Sequence, residues 1–323
     1  MQHVLKTQQF SREWLKDFFW RTTELKRVFE TSINGRARLR ALLKGRLMHS
    51  VFCEASTRTR FSFESAAHHL GMDVVATENG SEFSSLIKGE SIEHMIEVLC
   101  RYHPDVIILR HKEEGVAERV APIASRYRIS VINGGDGAGQ HPTQALLDVY
   151  TINSCIGSVD GITVVVGGDL TYGRTAKSLV YLLSKFERVR FIFISPPQLR
   201  MDAGVVSHLL ERDIPFREVS VENGTEISEA CREANVVYWT RTQSERITDS
   251  VKMMSIAKSA WLYQITVEHA NLLGDRGAIL LHPLPINGEV ENAVDHISSA
   301  KYFEQAGNGL FVRMALLQEI LQA

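Results

Sequence analysis

The sequence predicts an α/β protein built from two doubly wound parallel-sheet domains. Continuous apolar runs of strand length, such as residues 105–109 and 162–166, recur along the chain and alternate with segments of helical spacing. A chain of 323 residues is also long enough for two domains. We therefore expect a first domain over residues 1–150 and a second over 151–294, joined by helices. A C-terminal helix within residues 295–323 is expected to return to the first domain.

The elements of the first half follow from apolar spacing. Residues 10–45 are predicted to be helical, with Ser11 as an N-cap. After the first strand, Phe63, Ala66 and Leu70 fall on one face of a helix that begins near Ser56. Further helices are expected near residues 92–99 and 113–127, then a turn-rich stretch at 133–139 and a connecting helix from His141. The predicted strands are residues 47–53, 73–76, 105–109 and 129–132.

The second half repeats this rhythm without repeating the sequence. A helix over residues 174–186 places Leu179, Leu182 and Leu183 on one face, and residues 302–321 form the last helix. The predicted strands are residues 162–166, 190–194, 216–219, 236–239, 261–265 and 279–281. In such folds substrates bind at the carboxyl ends of the strands.

Composition excludes several classes of protein. The chain is 44% hydrophobic and 23% charged, as is typical of globular proteins, and its formal charge of −2 argues against a general nucleic-acid binder. The cysteines form no CxxC or Cys/His cluster, so we expect neither a disulfide framework nor a zinc site; they are Cys53, Cys100, Cys155 and Cys231. We expect a cytoplasmic protein without a membrane span, because the N-terminus lacks a signal-peptide pattern and no apolar run has membrane-spanning length.

The stretch Ser56-Thr57-Arg58-Thr59-Arg60 is the strongest functional signal from the residues alone. It falls in the first turn of a helix, where the helix dipole disfavours cations. Two arginines and several hydroxyls there are explained if an anion binds to the exposed N–H groups, because an arginine fork and a helix N-terminus together suit phosphate. A solvated, arginine-rich helix start is the alternative.

Other polar residues follow the ends of predicted strands. Arg110 comes directly after a strand, and Arg241 follows the strand that ends at residue 239. Arg174 begins a helix, and His141 and Gln144 begin the connecting helix. An ordinary strand-end cation is the alternative for Arg110, and a structural role is the alternative for His141. There is no Ser/His/Asp or Cys/His nucleophile pattern, no acidic metal-ligand cluster and no dinucleotide fingerprint. We expect no cofactor and no metal, and the inventory favours positioning and charge stabilisation of two anionic substrates.

These motifs occur in an order that resembles the aspartate carbamoyltransferase family, within the aspartate/ornithine carbamoyltransferase superfamily. The resemblance covers nearly the whole chain. The Ser-Met-Gly loop and His-Cys-Leu-Pro motif expected of an ornithine enzyme are absent. The matching motifs are Ser56-Thr57-Arg58-Thr59-Arg60, Lys88-Gly89-Glu90, Arg110-His111, His141-Pro142-Thr143-Gln144, Asp169-Leu170-Thr171-Tyr172-Gly173-Arg174-Thr175, Arg241-Thr242-Gln243 and His282-Pro283-Leu284-Pro285.

The resemblance implies a direct transfer of the carbamoyl group from carbamoyl phosphate to L-aspartate, an early step of pyrimidine biosynthesis. Thr59, Arg110 and His141 would form an oxyanion hole, with His141 neutral because nearby arginines disfavour another positive charge. By resemblance, the phosphate is held by Ser56, Thr57, Arg58 and Thr59, the carbamoyl amino group by Gln144 and the Leu284 carbonyl, and aspartate by Lys88, Arg174, Arg241 and Gln243.

The resemblance also implies a homotrimer in which Ser84 and Lys88 reach a neighbouring subunit's site. Without the family resemblance, the sequence would indicate only that Ser84 is a loop hydroxyl and that Lys88 is a solvated cation. An added regulatory chain or a dihydroorotase-like partner is left open. So are three other functions: a carbamoyltransferase for another amino acid, a catalytically silent homologue acting as an assembly subunit, and a dinucleotide-binding oxidoreductase.

Three positions depart from the family pattern. Ile286 stands where arginine is usual, and we expect weaker contacts on domain closure. Gly139 stands where asparagine is usual. Glu93-His94-Met95 replaces a stretch that commonly carries aspartate and threonine, so loop anchoring or subunit packing is expected to differ.

Overall fold

The computed structural model describes residues 1–77 and 88–322. The chain divides into two compact units, Met1–Thr143 with Gly307–Ala323, and Gln144–Ala306. Each unit has its own all-parallel sheet flanked by helices, which confirms the predicted fold class.

The sheet of the first unit has four strands in the order β2-β1-β3-β4. Val51, Ile107 and Val131 of this sheet pack in one buried apolar cluster with helix residues such as Ile96 and Val120. The strands are β1 (Leu47–Phe52), β2 (Asp73–Thr77), β3 (Val106–His111) and β4 (Ser130–Asp136). The helices are α1 (Arg12–Thr31), α2 (Ile33–Leu39), α3 (Thr57–Leu70), α4 (Ile92–Cys100) and α5 (Val116–Ser125).

The N-terminal residues extend the first sheet beyond β4. Val4 is fully buried and forms an isolated parallel bridge with Ile132. Its N–H donates to the Val131 carbonyl at 2.9 Å, and its carbonyl accepts from the Asn133 N–H at 2.8 Å. The outer side of β4 is therefore paired with the start of the chain.

The sheet of the second unit has five strands in the order β7-β6-β5-β8-β9. Its central strands are continuous apolar runs, since both faces are covered by helices. The strands are β5 (Thr163–Gly167), β6 (Arg190–Ile194), β7 (Phe216–Val219), β8 (Val236–Trp239) and β9 (Ile279–Leu281). The helices are α6 (Pro142–Ile156), α7 (Arg174–Leu183), α8 (Ala203–Leu210), α9 (Thr225–Glu233), α10 (Ser250–Ser259) and α11 (Val267–Gly274).

The C-terminal helix α12 (Tyr302–Leu321) returns to the first unit from Gly307 onward, as predicted. Glu319 accepts a hydrogen bond from Trp14 Nε1 at 3.3 Å and forms an ion pair with Arg21. The Phe311 ring packs edge-on against Phe29 with centroids 5.5 Å apart. These contacts fix α12 against α1.

The predicted strand at residues 261–265 is wrong. Ala260–Tyr263 is a 3₁₀ helix that continues directly from α10, and the Trp261 side chain is exposed. Only Ile265 makes a strand-like contact, a single parallel bridge to Val290. The aromatic and β-branched residues suggested a strand, but β9 occupies the place beside β8 in the sheet.

The predicted turn at residues 133–139 is in part a strand. β4 continues through Asn133, Gly134 and Gly135 to Asp136. The Asn133 amide donates to the Leu5 carbonyl, so the glycine-rich sequence is stabilised by its neighbours rather than by its own strand propensity. No helix within the described ranges 1–77 and 88–322 is long and apolar enough to cross a membrane.

Candidate active site

The stretch that the sequence predicts to bind an anion lies between β1 and α3, with Ser56 directly before α3. Ser56 occupies the N-cap position, but its side chain makes no capping hydrogen bond. Arg60 turns along the helix, and its Nε donates to Glu64 Oε1 at 2.9 Å. Arg58 is exposed in the same turn, whereas Thr59 is only 6% exposed. The two arginines therefore differ: Arg60 stabilises the helix, while Arg58 lies at its N-terminal surface.

Thr59 and His141 are brought together although they are distant in sequence. Thr59 Oγ1 lies 3.2 Å from His141 Nε2, and the imidazole is 4% exposed. His141 directly precedes α6, and Thr59 lies in the first turn of α3. One of the two groups donates to the other in this contact. A carbonyl oxygen that binds beside them could accept from the hydroxyl and from an imidazole protonated at Nε2.

Arg110 lies at the end of β3, where the parallel register pairs it with Phe52 of β1. Its Nη1 donates to the Gly134 carbonyl at 3.2 Å, and its Nη2 donates to Glu54 Oε1 at 2.8 Å. The guanidinium is thus fixed between the ends of β1 and β4. Glu54 was not predicted as a site residue, although its position two residues before the N-cap residue Ser56 already indicates that it lies near the site.

In the second unit, Asp169 joins the two loops that carry the predicted aspartate-binding residues. The fully buried carboxylate accepts from the Tyr172 N–H and from the Gln243 N–H, each at 2.9 Å. Burial raises the pKa of Asp169, and the backbone N–H groups of Tyr172 and Gln243 act in the opposite direction. The loop before Arg174 and the loop containing Arg241 are thereby tied together.

Arg241 is held by an acidic residue four positions later in the chain. Its Nη1 donates to Glu245 Oε2 at 2.9 Å, its Nη2 contacts Glu245 Oε1, and Nη1 also donates to the Thr242 carbonyl at 3.0 Å. Arg241 and Glu289 line a cavity of about 440 Å³ within the second unit. This pairing with Glu245 was not predicted from the sequence.

The segment His282-Pro283-Leu284-Pro285 is held by side-chain contacts to its backbone. The Leu284 N–H donates to His282 Nδ1 at 2.8 Å, while His282 Nε2 lies 2.9 Å from Glu289 Oε1. Leu284 has φ +56°, a left-handed conformation that a leucine adopts only where its surroundings impose it. The direction of the Leu284 carbonyl is therefore fixed by the fold.

Of three further residues predicted for the site, Gln144 and Lys88 are described by the structure and one is not. Gln144 is partly exposed on the first turn of α6, and its Nε2 donates to Asp148 Oδ1 at 2.8 Å. Lys88 is exposed at the start of the second described segment. Ser84 lies outside the described residues.

Two family models match the chain in succession. Residues 2–154 match the aspartate/ornithine carbamoyltransferase carbamoyl-P binding domain, and residues 160–320 match the Asp/Orn binding domain of the same family. The chain belongs to the aspartate/ornithine carbamoyltransferase family. This agrees with the resemblance carried by its motifs.

Individual members of the family are similar over almost the full length. A chloroplastic aspartate carbamoyltransferase of Pisum sativum is 43% identical over 98% of this chain and 78% of its own length. The aspartate carbamoyltransferase catalytic subunit of Methanocaldococcus jannaschii is 38% identical over 100% of this chain and 98% of its own. The Trypanosoma cruzi aspartate transcarbamoylase, solved with carbamoyl phosphate and aspartate, is similar with a TM-score of 0.89 at 33% identity, over 99% of this chain and 97% of that one.

The departures from the carbamoyltransferase pattern fit their surroundings. A Cβ at Gly139 would lie 2.7 Å from Glu114 Cγ, so a larger residue would require Glu114 to move. Glu93 pairs with Arg119 Nε at 3.0 Å, which links α4 to α5. Ile286 packs against the apolar core of the second unit. The expected effects on closure and subunit packing stay predictions.

Proposed function

We propose that the chain transfers the carbamoyl group of carbamoyl phosphate to the α-amine of L-aspartate, giving N-carbamoyl-L-aspartate and phosphate. The observation that carries this proposal is the buried contact between Thr59 and His141 at the start of two helices. It provides hydrogen-bond donors for a carbonyl oxygen beside a helix N-terminus suited to phosphate. Relatives named aspartate carbamoyltransferase over nearly the full chain support the same reaction.

In this proposal the first unit binds carbamoyl phosphate. The exposed Arg58 and the N–H groups after Ser56 bind the phosphate, because the Ser56 side chain does not occupy them. Thr57 contributes its hydroxyl to the same site. Thr59, Arg110 and His141 donate to the carbamoyl oxygen, and Arg110 is already oriented by its contacts to Glu54 and Gly134. We place this function in residues 1–150.

The second unit, over residues 151–294, binds aspartate in this proposal. Arg174 and Arg241 each offer a guanidinium to one carboxylate, and Gln243 assists. Asp169 supports this role because it joins the two loops on which these residues lie. Two arginines favour a dicarboxylate over a cationic acceptor such as ornithine.

The reaction follows from these placements. The neutral α-amine attacks the carbamoyl carbon, a C–N bond forms, and the negative charge of the tetrahedral intermediate develops on the oxygen near Thr59, Arg110 and His141. The C–O bond to phosphate then breaks, the departing phosphate takes up the proton that the amine loses, and Arg58 holds the remaining phosphate charge. Donors that are fixed before the reaction stabilise this charge without reorganisation.

The test is product formation from labelled carbamoyl phosphate with L-aspartate and, in parallel, with L-ornithine. We expect labelled carbamoyl aspartate from the first reaction and no product from the second. Product with ornithine would refute the role of Arg174 and Arg241. Absence of turnover in a protein that still binds carbamoyl phosphate would favour a silent homologue.

We further propose a cytoplasmic homotrimer that acts in pyrimidine biosynthesis and whose sites are shared through Ser84 and Lys88. The exposure of Lys88 supports this, since a lysine that serves another subunit must be accessible. Lys88→Ala should nearly abolish activity while the trimer mass is unchanged. Mixing it with an inactive Arg58→Ala protein should restore partial activity in hybrid trimers, and no recovery would refute shared sites.

A further inference from the structure

Asp148 is a buried acidic residue for which the proposed reaction has no direct use. It lies on α6 one turn after Gln144, and it is 0% exposed. A buried carboxylate is costly unless hydrogen bonds satisfy it, so its neighbours indicate what it holds in place.

Three side chains from three elements donate to this carboxylate. Gln144 Nε2 of α6 lies 2.8 Å from Oδ1, and Gln305 Nε2 of α12 lies 2.6 Å from the same oxygen. The hydroxyl of Tyr238, on β8, donates to Oδ2 at 3.0 Å. Burial and then the Asp148 charge raise the pKa of Tyr238, which keeps the phenol protonated as a donor.

The charge of Asp148 determines which way each glutamine amide points. An ionised carboxylate only accepts hydrogen bonds, so each glutamine must turn its NH₂ toward Asp148 and its carbonyl oxygen away. For Gln305 the result is visible, because its Oε1 accepts the His282 N–H at 2.9 Å. His282 in turn accepts the Leu284 N–H at 2.8 Å. One carboxylate is thus connected to both Gln144 and the Leu284 segment.

We infer that Asp148 is a positioning residue that orients the hydrogen-bond acceptors for the amino group of the carbamoyl substrate. This inference rests on the proposed function and on the assignment, implied by the family resemblance, of Gln144 and the Leu284 carbonyl to that amino group. An NH₂ group requires acceptors, and an amide at Gln144 could present either its oxygen or its nitrogen. Asp148 fixes the oxygen as the outward group and, through Gln305 and His282, supports the backbone turn at Leu284.

The experiment compares two ligands that differ only at the amino group. Phosphonoacetamide carries a primary amide and a phosphonate, and acetonylphosphonate has a methyl group in place of the NH₂. We expect the unaltered protein to prefer phosphonoacetamide, by an amount on the order of tenfold for one hydrogen bond with good geometry. Asp148→Asn should abolish most of this preference, because an asparagine can donate and allows Gln144 to flip. Binding of inorganic phosphate should change less than about twofold, which separates a positioning effect from a general loss of the site.

Two variants control the result. Tyr238→Phe removes another hydrogen bond to Asp148 but leaves both glutamines in place, so it should keep the ligand preference. Gln305→Leu removes the connection from Asp148 through Gln305 to His282 but leaves the Asp148–Gln144 hydrogen bond in place. It should therefore reduce the preference in part, which provides a measurement even if Asp148→Asn does not fold. An undiminished preference in Asp148→Asn, or in Gln305→Leu when the former is unfolded, overturns the inference. Absence of any preference in the unaltered protein would instead refute the proposed binding of the carbamoyl amino group.

Discussion

A methyl group added at Gly168 should displace the loop that carries Arg241. It follows β5 directly and has φ +98°, and a Cβ built on it would lie 2.0 Å from the Thr240 carbonyl oxygen. That oxygen belongs to backbone and cannot rotate away. Thr240 is itself tied to Gly167, with its N–H 2.9 Å from the Gly167 carbonyl. Gly168→Ala must therefore displace the residue that precedes Arg241.

The loss of stability in Gly168→Ala has two contributions, and a matched control variant separates them. Gly277 also has a positive φ of +68°, but a Cβ there meets no atom within 4 Å. Gly277→Ala should therefore cost only the backbone strain of a left-handed L-residue, about 1–2 kcal/mol. Gly168→Ala adds overpacking of about 1–3 kcal/mol, for a total of about 2–5 kcal/mol.

Thermal unfolding and aspartate kinetics together test this reasoning. At about 2–4 °C per kcal/mol for a unit of this size, Gly168→Ala should lower the Tm by roughly 4–20 °C. It should also raise the KM for L-aspartate, because Arg241 moves with Thr240, whereas Gly277→Ala should leave that KM unchanged. Equal effects of the two substitutions on the Tm would show that the contact with the Thr240 carbonyl has no energetic weight.

Three other outcomes can be measured directly. Thr59→Val keeps the shape of the side chain but removes its hydroxyl beside His141, so kcat should fall about 100- to 1000-fold, and a loss under threefold would argue against an oxyanion role. Burial raises the pKa of the Cys231 thiol to about 12, so at pH 8 a thiol reagent should modify the partly exposed Cys155 first; rapid labelling that persists in Cys155→Ser would contradict this. Burial alone would raise the pKa of Glu289, but contacts from His282 and from backbone N–H groups outweigh it and lower that pKa. The resulting stability is present above the ordinary value of 4.5 and lost as pH falls through the lowered pKa, so urea unfolding of Glu289→Gln should depend less steeply on pH below 4.5.

The fold could be predicted because its signals are local. An apolar run such as residues 105–109 predicts a buried strand without any information on its neighbours in space, and β3 lies there. Trp261 misled the prediction because aromatic residues favour strands on average, while the sheet position beside β8 belongs to β9. Which strand fills a position is a property of the whole sheet and cannot be read from five residues.

The contrast between local signals and long-range contacts also explains which residues of the candidate site could be predicted. Thr59, Arg110 and His141 follow strand ends or begin helices, so their positions in the sequence already indicated a common site. Asp148 was missed, because its partners Tyr238 and Gln305 are remote in the sequence. Asp148 and Tyr238 are separated by 90 positions, and Asp148 and Gln305 by 157. A carboxylate in an apolar helix pattern carries no sign of which donors the fold will bring to it.

The pairing of Val4 with β4 affects the behaviour of the protein at high concentration. An open strand edge offers unpaired N–H and C=O groups to other molecules and is a common route to aggregation. Here the chain's own first residues satisfy the edge of β4, with hydrogen bonds on both sides of Val4. Shortening the N-terminus past Val4 would uncover that edge, so a truncated protein should self-associate even though its catalytic residues are untouched.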